Sequence, residues 1–278
     1  MTDTDLPLAR PSTARAAGPL GGVLLVVEHH WTWYRRNWRA TAVTSILQPL
    51  LFLLAFGVGF SALIGGTGRA AQATGGVAYL VWLAPALLCV SAVQTAVFDS
   101  TYPVLSGLKW QRHYLAMTAT PIGPGQVVVG HLVWMMIKIG GCGAVYVAVI
   151  AAFGGVRSPG IVLALLIAML AGAAVGVLVT AFTAGVEDEG SAFTVLFRLV
   201  LIPMTLFSGT FFPVDRLPAA IQPITWLSPL WHGTELARAA ALGGGAALPA
   251  IGHAGFLIAL VAAGSALAVV RFRRRLYR

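Results

Sequence analysis

Apolar and polar positions along this chain alternate on the scale of whole segments. Six apolar runs, at about 41–64, 78–98, 126–152, 160–185, 192–212 and 249–270, each reach the roughly 20 residues that a helix needs to cross the hydrocarbon of a bilayer. They predict six transmembrane helices. Pro49, Pro85 and Pro203 fall inside these runs and predict kinks whose freed carbonyls are satisfied by neighbouring helices. Gly172 and Gly176 form a small-residue pair that lets helices approach closely. Ahead of the first run, residues 21–39 carry Leu24, Val27, Trp31, Tyr34 and Trp38 at spacings of three and four, with Glu28, Arg35, Arg36 and Arg39 largely off that stripe. This pattern predicts an amphipathic helix lying along the membrane, aromatic side inward and arginines toward lipid phosphates. Residues 1–19 are polar and aperiodic and read as a disordered tail; Asp3 and Asp5 argue against a secretory signal.

Two polar breaks between the runs are informative. In the stretch 99–126, residues 104–117 (VLSGLKWQRHYLAM) mix apolar, aromatic and basic side chains and stop before Pro121. A short helix across one membrane face follows, ended by proline. Leu108, Trp110, Tyr114 and Leu115 suit a groove on a soluble partner, or else rest on lipid. The stretch 204–238 is interrupted by Pro213, Pro218, Pro223 and Pro229 and carries Phe211, Phe212, Trp226, Trp231, Asp215, Arg216, His232, Glu235 and Arg238. Such backbone beside a span either dips into the bilayer edge without crossing it or forms an ordinary loop with interfacial aromatics.

Composition supports the membrane reading. Of 278 residues 58% are hydrophobic and only 10% charged, whereas a soluble domain carries roughly a quarter charged residues. The net charge of +9 forms no basic, aromatic-interleaved face, which excludes nucleic acid as a partner. Lysine and arginine instead mark topology. Arg10, Arg15, Arg35, Arg36, Arg39, Lys109, Arg112, Arg271, Arg273, Arg274, Arg275 and Arg278 fall on one side, against Arg69, Arg157, Arg216 and Arg238 on the other. The positive-inside rule then places both termini in the cytoplasm and 212–238 outside. Cys89 and Cys142 lie within apolar runs and read as free thiols.

No catalytic set emerges, and no metal site. Lys109 and Lys138 follow Leu108 and Ile137, so neither belongs to a phosphate-binding loop, and no HExxH occurs. The carboxylates, Asp99 and the Glu187–Asp188–Glu189 cluster included, fall outside the runs or at their ends, which disfavours an ion-coupled carrier. Energy for uphill transport then comes from a separate ATPase. Lys138 lies well inside the third run, with His131 and Trp134 on the same helical face. The three either line a path for a polar group, or the lysine pairs with a carbonyl or snorkels. Arg198 is expected to pair with the 187–189 cluster.

At this point the chain resembles the permease subunits of ABC-2 type exporters, in the branch of nodulation lipo-oligosaccharide and daunorubicin-type drug-efflux permeases. The resemblance is carried by 107–112 (GLKWQR) through 117–121 (MTATP), by 207–218 (FSGTFFPVDRLP), and by 229–232 (PLWH) with Leu236 and Arg238, and it covers about 20–275. The family often has an acidic residue where this chain reads QRHYLAM.

The resemblance implies an all-α integral membrane domain over 20–278, with an elbow helix at 21–39, six spans and paired re-entrant helices on the outer side. It implies a coupling helix at 104–117 (Leu108, Lys109, Trp110, Arg112, Tyr114, Leu115), with Glu187, Asp188 and Glu189 as a second contact. The coupling helix docks on one of two soluble ATP-binding-cassette subunits that hold ATP and Mg, this chain holding no cofactor. The outer element is carried by Phe212, Pro213, Asp215, Pro229, His232, Glu235 and Arg238. His131, Trp134, Lys138, Phe207 and Phe211 are the candidate path residues. The expected protein is a multi-pass permease of the bacterial inner membrane, paired with an identical or sister half. It exports an amphipathic, drug-like or lipid-linked molecule by alternating access. A polysaccharide permease and a non-transporting scaffold are the alternatives.

Overall fold

The computed structural model describes residues 18–52, 54–55, 77–187, 189–244 and 246–277, all of whose regular elements are helical. Most of the predicted tail and the outer part of the first predicted span lie outside the described residues. Helix α1 is Pro19–Phe52. The sequence predicts a membrane-surface helix ending near Arg39 and a separate span beyond it, whereas the structure has one unbroken helix. The junction, 37–43 (NWRATAV), holds neither glycine nor proline to interrupt the ladder. The start of α1 packs alongside the first half of α5 (Pro124–Ala152), with Gly22 against Gln126 and Val26 against Gly130. At Gly130 a β-carbon would sit 2.6 Å from that of Val26, so the glycine sets this approach.

Among the described residues five helical stretches are long and apolar enough to cross a membrane: Tyr79–Lys109, Pro124–Ala152, Gly160–Ala184, Gly190–Phe207 and Ala247–Leu276. They coincide with the second to sixth predicted runs, apart from the ends of the second, fifth and sixth runs, the last of which continues to Leu276. The first stretch is α2 (Tyr79–Ser100) continued by α3 (Tyr102–Lys109) after a break at Thr101, and α4 (His113–Thr118) then reverses direction. The single helix expected over 104–117 is thus two. Arg112, at φ 53°, is the left-handed residue at the reversal, a conformation that a right-handed helix cannot continue through. The fifth run ends at Phe207 rather than 212, because Gly209, at φ 71°, turns the chain.

The remaining elements are α6 (Gly160–Ala184), α7 (Glu189–Val195), a π-helical turn (Leu196–Leu201), α8 (Ile202–Phe207), α9 (Gln222–Trp226), α10 (Pro229–Leu242) and α11 (Ala247–Leu276). The predicted kink at Pro203 takes the form of that π turn. Proline has no N–H for the carbonyl four residues back and its ring crowds it, so the preceding ladder widens. Helix α6 is the centre of the bundle, packed against α2, α11, α10 and α5. A β-carbon on Gly176 would lie 2.5 Å from the Met135 sulfur and 3.0 Å from the Ala96 β-carbon, and one on Gly172 3.0 Å from the Ala92 carbonyl. The pair seats α6 between α2 and α5, as the small-residue spacing predicts.

The bundle has two distinct ends. At one, Val26, Val104, Tyr114, Val127, Ala181 and Phe272 form a buried cluster, flanked by Lys109 and by Arg273, Arg274 and Arg275 in the last turn of α11. At the other, Tyr79, the α5–α6 loop and α10 meet. There the Ser158 hydroxyl donates to the Ala241 carbonyl at 2.8 Å and the Tyr79 hydroxyl to the Phe211 carbonyl at 2.9 Å.

Candidate functional site

Near the basic end, α1, the last turn of α2, α3, the 109–113 reversal and α5 enclose a cavity of about 520 Å3. Residues spaced by three and four on α5 share a face, so His131, Trp134 and Lys138 all reach its wall. From the end of α2 comes Asp99, whose Oδ1 receives the Lys138 ammonium at 2.6 Å. One expectation is corrected here: Lys138 pairs with Asp99 rather than snorkelling or binding a carbonyl. Two opposite charges in an apolar bundle remain ionised together at low cost only when paired directly.

The rest of the lining is mostly aromatic and imidazole, with Pro103, Ser106 and Gln111. Trp33, Tyr34, Phe98, Tyr102 and Trp110 contribute rings, and His29, His30 and His113 join His131. The His30 ring stacks on Trp134 with centroids 6.0 Å apart, and His29 lies 4.8 Å from His113. His131 is only 2% exposed. Among the described residues neither of its ring nitrogens has a partner, and the same holds for both of His113, for Nε2 of His30 and for Oδ2 of Asp99. Buried polar atoms are nearly always hydrogen-bonded, so a group of unpaired ones around one cavity leaves hydrogen-bonding capacity there for water or a polar guest. Burial, with a smaller contribution from His29, lowers the pKa of His113 to about 4 and keeps that imidazole neutral near pH 7. Among the described residues no three His, Cys, Asp or Glu side chains are arranged to hold a metal ion.

The path residues predicted from sequence divide. His131, Trp134 and Lys138 meet in the cavity. Phe207 and Phe211 do not line it: one ends α8 and the other lies in the turn beyond, its carbonyl engaged by Tyr79 at the opposite end. The predicted coupling residues divide too. Lys109, Arg112, Trp110 (53% exposed) and Leu115 (45%) face outward. Leu108 is partly buried against the basic-end cluster. Tyr114, expected to face a partner, is 1% exposed and packs on Phe272 with ring centroids 5.7 Å apart. On a six-residue helix that crosses the bundle end, one side must be buried, and the tyrosine takes it. Lys109 donates to the Glu187 carbonyl at 3.2 Å, which joins the 109–113 reversal to the α6–α7 loop. Asp188 and the Glu189 side chain lie outside the described residues, and Arg198 is exposed on the π turn.

At the far end the proline-interrupted stretch folds into a short 3-10 turn (Val214–Arg216), α9 and α10. Proline stands in the first turn of both helices, where a missing N–H costs nothing. Arg238 is 7% exposed. Its guanidinium donates to the carbonyls of Gly209 at 2.6 Å, Thr210 at 3.0 Å and Trp82 at 3.4 Å and to Glu235 at 3.2 Å, and lies 3.6 Å over the Trp82 ring. His232 bonds the Trp226 carbonyl through Nε2 at 2.9 Å and His253 through Nδ1 at 2.7 Å. Phe212 and Asp215 are exposed or nearly so, with Asp215 4.0 Å from Arg216.

The ABC-2 type transporter family matches residues 22–242, most of the chain. This chain belongs to that family. It is 31% identical over 255 residues to nodulation protein J of Rhizobium leguminosarum bv. trifolii, covering 88% of this chain and 93% of the relative. To nodulation protein J of Rhizobium meliloti (strain 1021) it is 30% identical over 260 residues, covering 88% and 94%. To that of Sinorhizobium fredii it is 31% identical over 234 residues, covering 78% and 85%. The matched region takes in the residues of the cavity, of the 109–113 reversal and of the far-end helices α9 and α10 alike. Sequence reasoning missed the Asp99–Lys138 pair and the Arg238 clamp, both of which join residues far apart in sequence. The clamp left one signal, an arginine in an otherwise small and apolar helix (ELARAAAL).

Proposed function

We propose that this ABC-2 family chain is the permease half of an exporter that moves an amphipathic, lipid-linked molecule with an uncharged polar head, driven by ATP hydrolysis on separate subunits. The cavity carries this reading. Its rings suit the apolar faces of a bulky head group, and its neutral imidazoles each offer one donor and one acceptor, which a hydroxyl satisfies at once. The lipo-oligosaccharide branch of the resemblance supports the same choice over a flat hydrophobic drug, as does the likeness to proteins named for nodulation.

In this reading the basic end faces the cytoplasm, with both termini inside, in a bacterial inner membrane. The first predicted span completes six, and α9 and α10 form the re-entrant element over the outer exit. Trp110, Leu115, Lys109 and Arg112 dock on the ATPase, and the 187–189 loop tied to Lys109 supports them. ATP and Mg reside on the two ATPase subunits. Two permease halves, identical or sister, enclose the path. Nucleotide states with different affinities for the inward and outward forms drive alternating access.

The test is to purify the tagged chain in mild detergent after expression with its neighbouring reading frames. The proposal expects a stoichiometric soluble subunit whose ATPase activity rises in the presence of this chain. Trp110→Ala with Leu115→Ala is expected to lose that subunit while the permease still accumulates in the membrane. A permease that recovers no ATPase, even after crosslinking at Lys109, favours the scaffold.

A further inference from the structure

We infer that Asp99 is a specificity-determining residue of the cavity, which admits uncharged, hydroxyl-bearing head groups and keeps out bilayer lipids whose head carries an anionic phosphate. The inference rests on the proposed reading that a lipid-linked molecule lodges its head there. Any such site competes with the anionic phospholipid that surrounds it in great excess, so it needs a feature that rejects phosphate.

The geometry supplies one. Lys138 is a cation on the lining, and its ammonium is held at 2.6 Å by Asp99 Oδ1. The pair leaves no net charge to attract a phosphate. Asp99 Oδ2 is buried and unpartnered. A carboxylate oxygen accepts only, so its partner must bring an N–H or O–H. A phosphodiester brings acceptors alone. It would satisfy imidazole N–H groups but would set its anionic oxygens against Oδ2, and like charges brought together away from water are strongly disfavoured. A hydroxyl donates to Oδ2 and accepts from the imidazoles, and its ring or chain stacks on Trp134. Around Asp99 the titratable groups that share the cavity are Lys138 and His131 from α5, His29, His30 and Tyr34 from α1, Tyr102 from α3 and His113 from α4.

The experiment places a photoreactive benzophenone amino acid at Tyr102, a half-exposed wall residue. The full-length protein is reconstituted in vesicles holding equal amounts of phosphatidylglycerol and an uncharged diglucosyl diacylglycerol with the same acyl chains. Crosslinked lipid is then counted by mass spectrometry. Wild type is expected to capture the diglucosyl lipid over phosphatidylglycerol by about tenfold, the scale of one unfavourable charge contact. Asp99→Asn, which frees the lysine, is expected to reverse that preference. Asp99→Asn combined with Lys138→Gln is expected to erase it without reversal, and this charge-free variant serves should the single one fail to fold. Equal capture of both lipids by wild type, or an unchanged ratio in the variants, overturns the role of Asp99 alone. Capture of neither lipid overturns the proposed use of the cavity as well.

Discussion

At the scale of single residues, His113 and Arg238 show how burial converts an ordinary polar side chain into a constraint. His113 packs between His29 and Tyr114, and its pKa of about 4 lies below the usual value near 6.5. The folded state therefore prefers the neutral ring. Its contribution to stability is complete above about pH 6.5 and is lost as pH falls toward 4, where the unfolded chain takes up the proton first. Thermal stability in detergent is expected to fall between pH 7 and 5, and His113→Gln is expected to flatten that decline. A slope unchanged in the variant contradicts the assignment. Arg238 ties α10 to three carbonyls and to Trp82. Arg238→Met keeps the bulk but leaves those carbonyls without their donor, at a cost of roughly 1–3 kcal/mol for each one left unsatisfied. The expected outcome is faster proteolysis in 208–228, measured on the purified protein, with the spans intact.

At the scale of elements, what could be read from sequence depended on whether the signal was local. Span length and hydropathy are local, and five predicted spans recur as long apolar helices. The reversal at Arg112 was not legible, since the 104–117 pattern is compatible with one helix. The choice depends on Tyr114 finding Phe272 on α11. The union of the predicted surface helix with the start of the first span was hidden for a similar reason: a change in amphipathic pattern at Arg39 does not break a helix. Close packing of α6 was legible, because glycines four apart state their purpose. Gly176→Leu places atoms where Met135 and Ala96 already lie and is expected to destabilise by about 1–3 kcal/mol. Gly252→Leu, in open space on α11, is expected to be silent. Monodispersity on size-exclusion chromatography after a heat step checks both, and equal loss in the two variants contradicts the packing.

At the scale of the whole molecule, the two ends of one bundle are built differently, and the proposed function gives each its own role. The basic end holds the cavity and the exposed 109–113 reversal, and Trp110 and His113 belong to both. The far end holds α9 and α10, pinned by Arg238 to the turn after α8 and to α2. Of the site, sequence could supply His131, Trp134 and Lys138, since they share a face of one helix. Asp99, His30 and His113 come from other elements, and nothing short of the fold brings them together. The short wall between cavity and docking surface makes the central claim one of coupled transport, which a direct assay reaches. Inverted membrane vesicles containing this permease and its co-purified ATPase would be given ATP and a fluorescent lipid-linked glycoside in the outer leaflet. ATP-dependent movement of the probe to the protected side, lost in Trp134→Ala and absent with a non-hydrolysable nucleotide, is the predicted result. Probe that stays accessible with ATP, while the ATPase turns over normally, would contradict it.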